Sequence, residues 1–126
     1  MSFTGLSGNG ALREPELPIF VKWMDFTKWL FSITEKFPKS ARFTFSDRIN
    51  NLALDVIEGL VEARYSKNKT QALKGANLRL EKLRILLRIC YESRLVSHEG
   101  YKRAMLGLND TGKMLGGWIK QQESKG

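Results

Sequence analysis

Apolar residues recur at alternating steps of three and four along most of the chain, the spacing that places side chains on one face of an α-helix. This pattern predicts a first helix from Ile19 to Phe37, ended by Pro38 because proline disfavours helical geometry in the preceding residue. After a connection that includes residues 39–42, a second helix is predicted to begin near Thr44, which with Asp47 resembles a capping box. Its apolar stripe consists of Ile49, Leu52, Ala53, Val56, Leu60 and Ala63.

A polar break at residues 65–68 separates the second helix from a third, whose apolar stripe is the most regular in the chain. That stripe consists of Leu73, Ala76, Leu80, Leu83, Leu87 and Cys90. Ser97 is predicted to cap the fourth helix. The core face of this helix is predicted to consist of Tyr101, Met105, Leu108, Leu115 and Ile119. With no competing strand pattern, we predict an all-α, up-down-up-down four-helix bundle over residues 17–122, between a flexible arm (1–16) and a flexible tail (123–126).

The composition is that of a single soluble domain. The 126 residues are 42% hydrophobic and 27% charged, which is enough to bury one modest core. The single Cys90 cannot form an internal disulfide, and no pair of Cys and His residues has metal-ligand spacing. The sequence contains no recognisable secretion signal or membrane-spanning stretch. We therefore expect a cytoplasmic protein with no metal, no other cofactor and no membrane contact.

Positive charge is concentrated in and around the third helix. The net charge is +8, and nine basic residues but only two acidic ones lie between Arg64 and Arg94. Such an excess of positive charge favours binding to a polyanion. We therefore predict that the protein binds nucleic acid through the phosphates, with little sequence specificity and with an affinity that depends strongly on salt. The predicted contacts to nucleic acid or a polymerase are Lys74, Arg79, Lys82, Arg84, Arg88, Arg94, Lys102 and Arg103. The alternative is a solvated helix face with local ion pairs such as Glu81 with Arg84.

Apolar side chains outside the core stripes predict self-association. At about 100° per residue, Leu78, Ile85 and Ile89 fall on nearly the opposite side of the third helix from its core stripe. Phe20 and Phe31 similarly widen the apolar face of the first helix. Since a four-helix monomer cannot bury all of these side chains, we expect them to form an oligomer interface. The alternative is that they are scattered surface residues, which are normal in monomeric proteins.

No constellation of residues predicts catalysis. A di-metal centre in a four-helix bundle needs Glu-x-x-His pairs, but His98 is the only histidine and no such glutamate precedes it. The sequence identifies no nucleophile that His98 would activate. Cys90 lies on a core stripe, where a small buried residue is more common than a reactive thiol. We therefore predict that the protein is not an enzyme and has no catalytic residue.

Four short segments, in their order and spacing, resemble the accessory variability determinant (Avd) family of diversity-generating retroelements. They are the run from Lys36 to Phe45 (KFPKSARFTF), the step Ile57-Glu58-Gly59, the heptad segment Leu80-Glu81-Lys82-Leu83 and the segment from Met114 to Ile119 (MLGGWI). The resemblance covers residues 18–122. A related family, encoded in intervening sequences of large-subunit ribosomal RNA genes, shares the Phe-Pro-Lys turn and the Glu-Gly step.

The resemblance to the Avd family implies a four-helix bundle assembled into a barrel-shaped homopentamer. It also implies a non-enzymatic accessory protein that binds the reverse transcriptase and RNA or DNA. Such a protein supports mutagenic retrohoming, the error-prone copying of a template repeat into a variable gene. The surplus apolar stripes would then join subunits, and the basic helix would hold nucleic acid or the polymerase. The resemblance to the intervening-sequence family implies instead a helical protein-interaction module without a nucleic-acid role.

Overall fold

The computed structural model describes residues 17–125, which form four long α-helices and, within that range, no β-strand. The helices are α1 (Pro18–Thr34), α2 (Asp47–Tyr65), α3 (Lys69–Glu92) and α4 (His98–Lys125). The prediction of an all-α, four-helix fold is therefore confirmed for this part of the chain. The predicted arm over residues 1–16 lies outside the described residues. Helix α4 continues through residues 123–125, which the sequence pattern assigns to a tail, and Glu123 is held there by an ion pair of 3.1 Å with Lys74 of α3.

Successive helices run antiparallel, and the fourth packs against the first to close the bundle. Each pair of neighbours is marked by a specific contact: Trp23 with Ala53, Asp55 with Arg79, Arg84 with Asn109, and Phe26 with Gly107. The first of these is a buried hydrogen bond of 2.8 Å from the Trp23 indole to the Ala53 carbonyl. It satisfies the one polar atom of a side chain that is otherwise suited to the core.

The apolar stripes of all four helices form the core. Every residue of the α3 stripe is buried, as predicted, and in α2 only Leu52 of the predicted stripe is half-buried. Of the predicted core face of α4, Leu108 and Leu115 are buried, whereas Tyr101, Met105 and Ile119 are half-buried and pack against the edge of the core. The sequence pattern does not predict the buried Ala104 and Thr111. Tyr101 stacks on Tyr91 of α3, with their ring centroids 4.5 Å apart.

Helix α1 ends at Thr34, before the predicted end at Phe37. The amides of residues 35–37 bond back to carbonyls in the last turn of α1, so these residues form a tight turn. Phe37 still reaches the core, with 2% of its surface exposed. The buried Ser46 hydroxyl donates a hydrogen bond of 3.0 Å to the Thr34 carbonyl, which holds the end of α1 to the segment before α2.

The connection between α1 and α2 is helical, contrary to the sequence prediction. Residues Lys39–Ala41 form one turn of α-helix, and Arg42–Ser46 form a π-helix that continues directly into α2. The Thr44 hydroxyl lies 3.4 Å from a carbonyl one turn earlier and does not cap α2, so the predicted capping box is wrong. The physical reason is that the chain is already helical here, and the Asp47 amide is bonded to a carbonyl of the π-helix.

The turn between α3 and α4 contains the cap that the sequence predicts. The Gly100 amide donates a hydrogen bond of 3.0 Å to the Ser97 hydroxyl, so Ser97 caps α4. The amides of Arg94 and Leu95 bond to carbonyls in the last turn of α3, at 3.0 Å and 2.8 Å, in the pattern of a Schellman motif. Arg94 has a φ of 64°, the left-handed conformation that glycine usually occupies in this motif.

The packing of Phe26 on Gly107 predicts opposite stability changes at two glycines of α4. A methyl group at Gly107 would overlap the Phe26 ring, whereas one at Gly116 would meet no atom within 4 Å. Because alanine favours a helix over glycine by about 1 kcal/mol, Gly116→Ala should raise the free energy of unfolding by up to that amount. Gly107→Ala should lower it by about 1–3 kcal/mol, the usual effect of overpacking. Chemical denaturation of both variants checks this, and a stabilised Gly107→Ala variant would contradict the close approach.

The burial of Cys90 predicts an unreactive thiol. Cys90 has 0% of its surface exposed, and burial raises its pKa to about 11 because it desolvates the thiolate. Since the thiolate is the nucleophile, native protein should react with a thiol reagent far more slowly than denatured protein. Because the folded-state pKa lies above the ordinary value of 9.0, the stabilisation from this group is complete below pH 9 and is lost as the pH rises toward 11. Equal labelling rates for native and denatured protein would contradict the prediction.

Candidate nucleic-acid interface

The outward face of α3 carries an apolar ridge, which we define as Leu78, Ile85 and Ile89. These side chains are 55%, 57% and 41% exposed, and their spacing places them on one side of the helix, away from the buried stripe. The prediction that they are left outside the core is confirmed. Their role in joining subunits stays a prediction.

The apolar ridge separates the basic residues of α3 into two groups. Arg79 and Lys82 lie on the flank that faces α2, where Arg79 pairs with Asp55. Arg84 and Arg88 lie on the flank toward α4. The sequence concentrates positive charge in one segment, but the helix spreads that charge around its axis rather than gathering it on one face.

Four of the predicted phosphate contacts pair with carboxylates of the chain itself. The pairs are Lys74 with Glu123 at 3.1 Å, Arg79 with Asp55 at 3.6 Å, Arg84 with Glu81 at 3.1 Å and Arg88 with Glu92 at 3.0 Å. The predicted local pair of Glu81 with Arg84 is thus confirmed. The hydrogen bond and the charge of Glu92 raise the pKa of Arg88 above its ordinary value. All four pairs are accessible to solvent, so a phosphate can compete with each carboxylate.

The other four predicted contacts have no carboxylate partner among residues 17–125. Lys82 lies beside the apolar ridge, whereas Arg94 and Lys102 lie in and just after the turn between α3 and α4. The Arg103 guanidinium lies over the Trp29 ring of α1, 4.7 Å from its centroid, in a cation–π contact. The eight predicted residues are therefore spread over both flanks of α3, the α3–α4 turn and the side where α4 meets α1, and do not form one continuous site.

The apolar surplus predicted for α1 is only partly present. Phe20 is 8% exposed and lies under the Arg64 guanidinium, 5.7 Å from the ring centroid. Because Phe20 belongs to the core of its own chain, the prediction that it lies in an exposed interface is wrong. Phe31 is half-buried and borders Asp47 and Asn50, at the start of α2. Its role in an interface stays a prediction.

Beside Phe31, helix α2 presents a surface that we call the acidic face. Leu54 and Val61 are its exposed apolar residues, and Glu58 and Glu62 are exposed next to them. Both the acidic face and the apolar ridge therefore contain exposed apolar residues, but the neighbouring charges are negative on the acidic face and positive beside the apolar ridge.

The remaining candidate groups are the side chains that could bind a metal ion or take part in catalysis. Among residues 17–125, no three His, Cys, Asp or Glu side chains are grouped so that they could hold a metal ion. His98 is exposed and shares a hydrogen bond of 3.0 Å with the Tyr91 hydroxyl. In the same range of residues, none of the helices has the length and apolar character that crossing a bilayer requires.

A further cationic region, which the sequence does not predict as one surface, lies at the end of the bundle where α1 joins α2 and α3 joins α4. We call it the connecting end, since antiparallel packing places both connections there. Lys39 and Arg42 are exposed at this end, and Phe43 is 83% exposed. The periodic pattern of apolar residues predicts only a connection at residues 39–42 and gives no indication that they belong to a functional surface. The sequence feature that could have identified this region is the pair Arg42-Phe43, a cation next to an aromatic ring.

Comparison with known proteins returns a family match. A family model described as bAvd-like matches residues 19–122. Comparison with curated proteins finds no match. The match to the family model spans nearly all of α1, the whole of α2 and α3 and most of α4. Because it covers most of the chain, the protein belongs to the bAvd-like family, whose members have an accessory, non-catalytic role in diversity-generating retroelements.

Proposed function

We propose that this chain is an accessory subunit that binds the reverse transcriptase of a diversity-generating retroelement, together with template RNA or DNA, in support of mutagenic retrohoming. The observation that carries the proposal is the outward face of α3, where the apolar ridge lies between two groups of cations. An exposed apolar ridge fits a protein partner, and the flanking cations fit phosphates. Family membership supports the retroelement as the setting in which these partners meet.

The subunits are proposed to assemble head to tail into a ring, the homopentamer that the family resemblance implies. The apolar ridge of one copy and the acidic face of the next offer apolar surfaces with charges of opposite sign beside them. Because the two surfaces differ, their contact is heterologous, and such a contact closes into a ring when its rotation allows. The opposite charges favour this contact over one between two ridges, where cations would face cations.

Nucleic acid is proposed to be held mainly through charge. Exposed ion pairs such as Arg79 with Asp55 contribute roughly 0–1 kcal/mol, so phosphates can replace the carboxylates at little energetic cost. Each phosphate that a cation neutralises releases counterions from the nucleic acid, which makes the affinity fall as salt rises. Phosphate contacts carry no direct sequence information, so little sequence specificity is expected.

A second candidate function is a protein-interaction module of the intervening-sequence type, with no nucleic-acid role. The ion pairs of α3 favour it, because they neutralise charge that phosphates would otherwise meet. Only the accessory-subunit proposal requires nucleic-acid binding that weakens with salt, so this binding distinguishes the two candidates.

The proposed ring predicts that one charge on the apolar ridge prevents assembly. Ile85 is 57% exposed, so Ile85→Asp should leave the helical content of the chain unchanged while placing a carboxylate in a contact that excludes water. Light scattering coupled to size-exclusion chromatography should show a wild-type mass of several chains and a smaller mass for the variant.

The matched control is Leu106→Asp, because Leu106 is 56% exposed but lies on α4, outside both proposed surfaces. This variant should keep the wild-type mass. A wild-type monomer, or an unchanged mass for Ile85→Asp, would contradict the interface.

The charge-based proposal also predicts a steep salt dependence of RNA binding by the wild-type protein. Fluorescence anisotropy with a labelled RNA should show an affinity that falls at least roughly tenfold between about 50 mM and 200 mM salt, since several phosphates are neutralised. An RNA of scrambled sequence should bind with similar affinity. If no RNA binds at about 50 mM salt, the accessory-subunit proposal loses its nucleic-acid role and the protein-interaction module is favoured.

A further inference from the structure

Two departures from regular backbone geometry lie at the connecting end. The first is the π-helix Arg42–Ser46, and the second is the left-handed residue Arg94, the only non-glycine with positive φ among residues 17–125. Phe37 and Val96, one from each connection, are both buried in the core, and antiparallel packing places the two connections over the same end of the bundle. Each departure presents an arginine to solvent.

Arg94 occupies a position that is better suited to glycine. In a Schellman motif the left-handed residue is usually glycine, because a Cβ atom is strained in that conformation. The two backbone hydrogen bonds of the motif hold Arg94 in this conformation, but they would form equally well with glycine. The Arg94 side chain is exposed and has no ion pair or side-chain hydrogen bond within the described chain, so it is free to bind a ligand.

The π-helix gives the Phe43 ring unusual exposure. Ala41 and Ser46 face inward and are buried, while Phe45 packs against the core, so three consecutive residues between them, 42–44, face solvent. Phe43 is 83% exposed, next to Arg42, which has no ion pair within residues 17–125. π-helical turns occur frequently at functional sites, and an exposed aromatic ring beside a cation is the combination that binds the unpaired bases of a single strand.

The charge at the connecting end is predominantly positive. The cations without an ion pair among the described residues are Lys36, Lys39, Arg42, Arg48, Arg94 and Lys102. The carboxylates at this end are Glu35, Asp47 and Glu99, together with Glu92, which is already bound by Arg88. Unlike the paired cations of α3, those of the connecting end have no carboxylate to release when a phosphate binds.

We propose that the connecting end is a binding site for single-stranded nucleic acid, in which Phe43 stacks on a base while Arg42 and Arg94 bind phosphates. The inference rests on the proposed function and adds a binding surface for single strands to the phosphate contacts proposed on α3. A duplex offers phosphates but no free base face, so the exposed ring favours a single strand. A protein partner is disfavoured because one aromatic ring among cations is far smaller than the apolar centre of a stable interface.

The test measures the affinity of Phe43→Ala and Arg94→Gly for labelled single-stranded RNA, single-stranded DNA and a duplex by fluorescence anisotropy. Phe43→Ala should weaken binding of both single strands roughly 5- to 100-fold, the usual effect of losing a stacking ring, and should change duplex binding little. Arg94→Gly should raise the melting temperature, because it relieves the left-handed strain, while weakening single-strand binding several-fold. Opposite effects on stability and affinity cannot come from misfolding.

The matched control is Tyr65→Ala. Tyr65 is 80% exposed and also lies beside an arginine, but it ends α2 at the opposite end of the bundle. This variant should bind all three nucleic acids as the wild type does.

Three outcomes would overturn the inference, and they have different meanings. If Phe43→Ala and Arg94→Gly bind single strands as the wild type does while Lys82→Gln does not, the site lies on α3 and the proposed function stands. If both variants keep their affinity for single strands but lose a copurifying reverse transcriptase, the connecting end is a protein surface. If the wild type binds no nucleic acid at low salt, the proposed nucleic-acid role fails together with the inference.

Discussion

The packing of the Phe26 ring on Gly107 closes the bundle, and the arrangement of its surfaces depends on this contact. Connections in the chain bring each helix to the next, but only side-chain packing joins α1 to α4. Gly107 leaves room for the ring, and an ion pair of 3.6 Å between Lys22 and Asp110 lies close to it. Once the four-helix bundle is closed, each helix buries one stripe of residues and exposes its opposite side to solvent. The apolar ridge of α3 is exposed because that helix has no fifth neighbour.

Periodicity predicts the parts of this fold in which one regular helix packs on the core. The α3 stripe and the Ser97 cap could be predicted because each depends on local spacing. The end of α1 at Thr34 could not, since a buried Phe37 one turn after Ile33 has the same spacing whether the helix continues or folds into a tight turn. The core face of α4 could be predicted only in part. Leu108 and Leu115 follow the apolar pattern, whereas the buried Ala104 and Thr111 are small or polar and give that pattern little signal.

The charged residues also show which properties can be read from the sequence and which arise only in the fold. The sequence counts cations, but it cannot show that the carboxylates of Asp55 and Glu123 reach α3 from two other helices. It also cannot show that Arg64 covers Phe20, which removes that ring from the exposed surface. The segment with the largest excess of cations in the sequence therefore forms a helix whose positive charges are partly neutralised by carboxylates. The cations of the α1–α2 connection become part of a larger cationic surface, because the α3–α4 turn lies at the same end.

The proposed surfaces are compatible with one another because they occupy different parts of the bundle. Head-to-tail contacts between the apolar ridge and the acidic face use the sides of the helices, and leave the ends of each bundle at the rims of the ring. In such a ring, the connecting ends of all copies lie on one rim, so that their unpaired cations add to a single field. A strand that reaches one connecting end would then meet the next at high effective concentration, which strengthens binding without any further contact within one copy. Assembly through α3 and nucleic-acid binding at the connecting end would thus reinforce each other, although no residue serves in both.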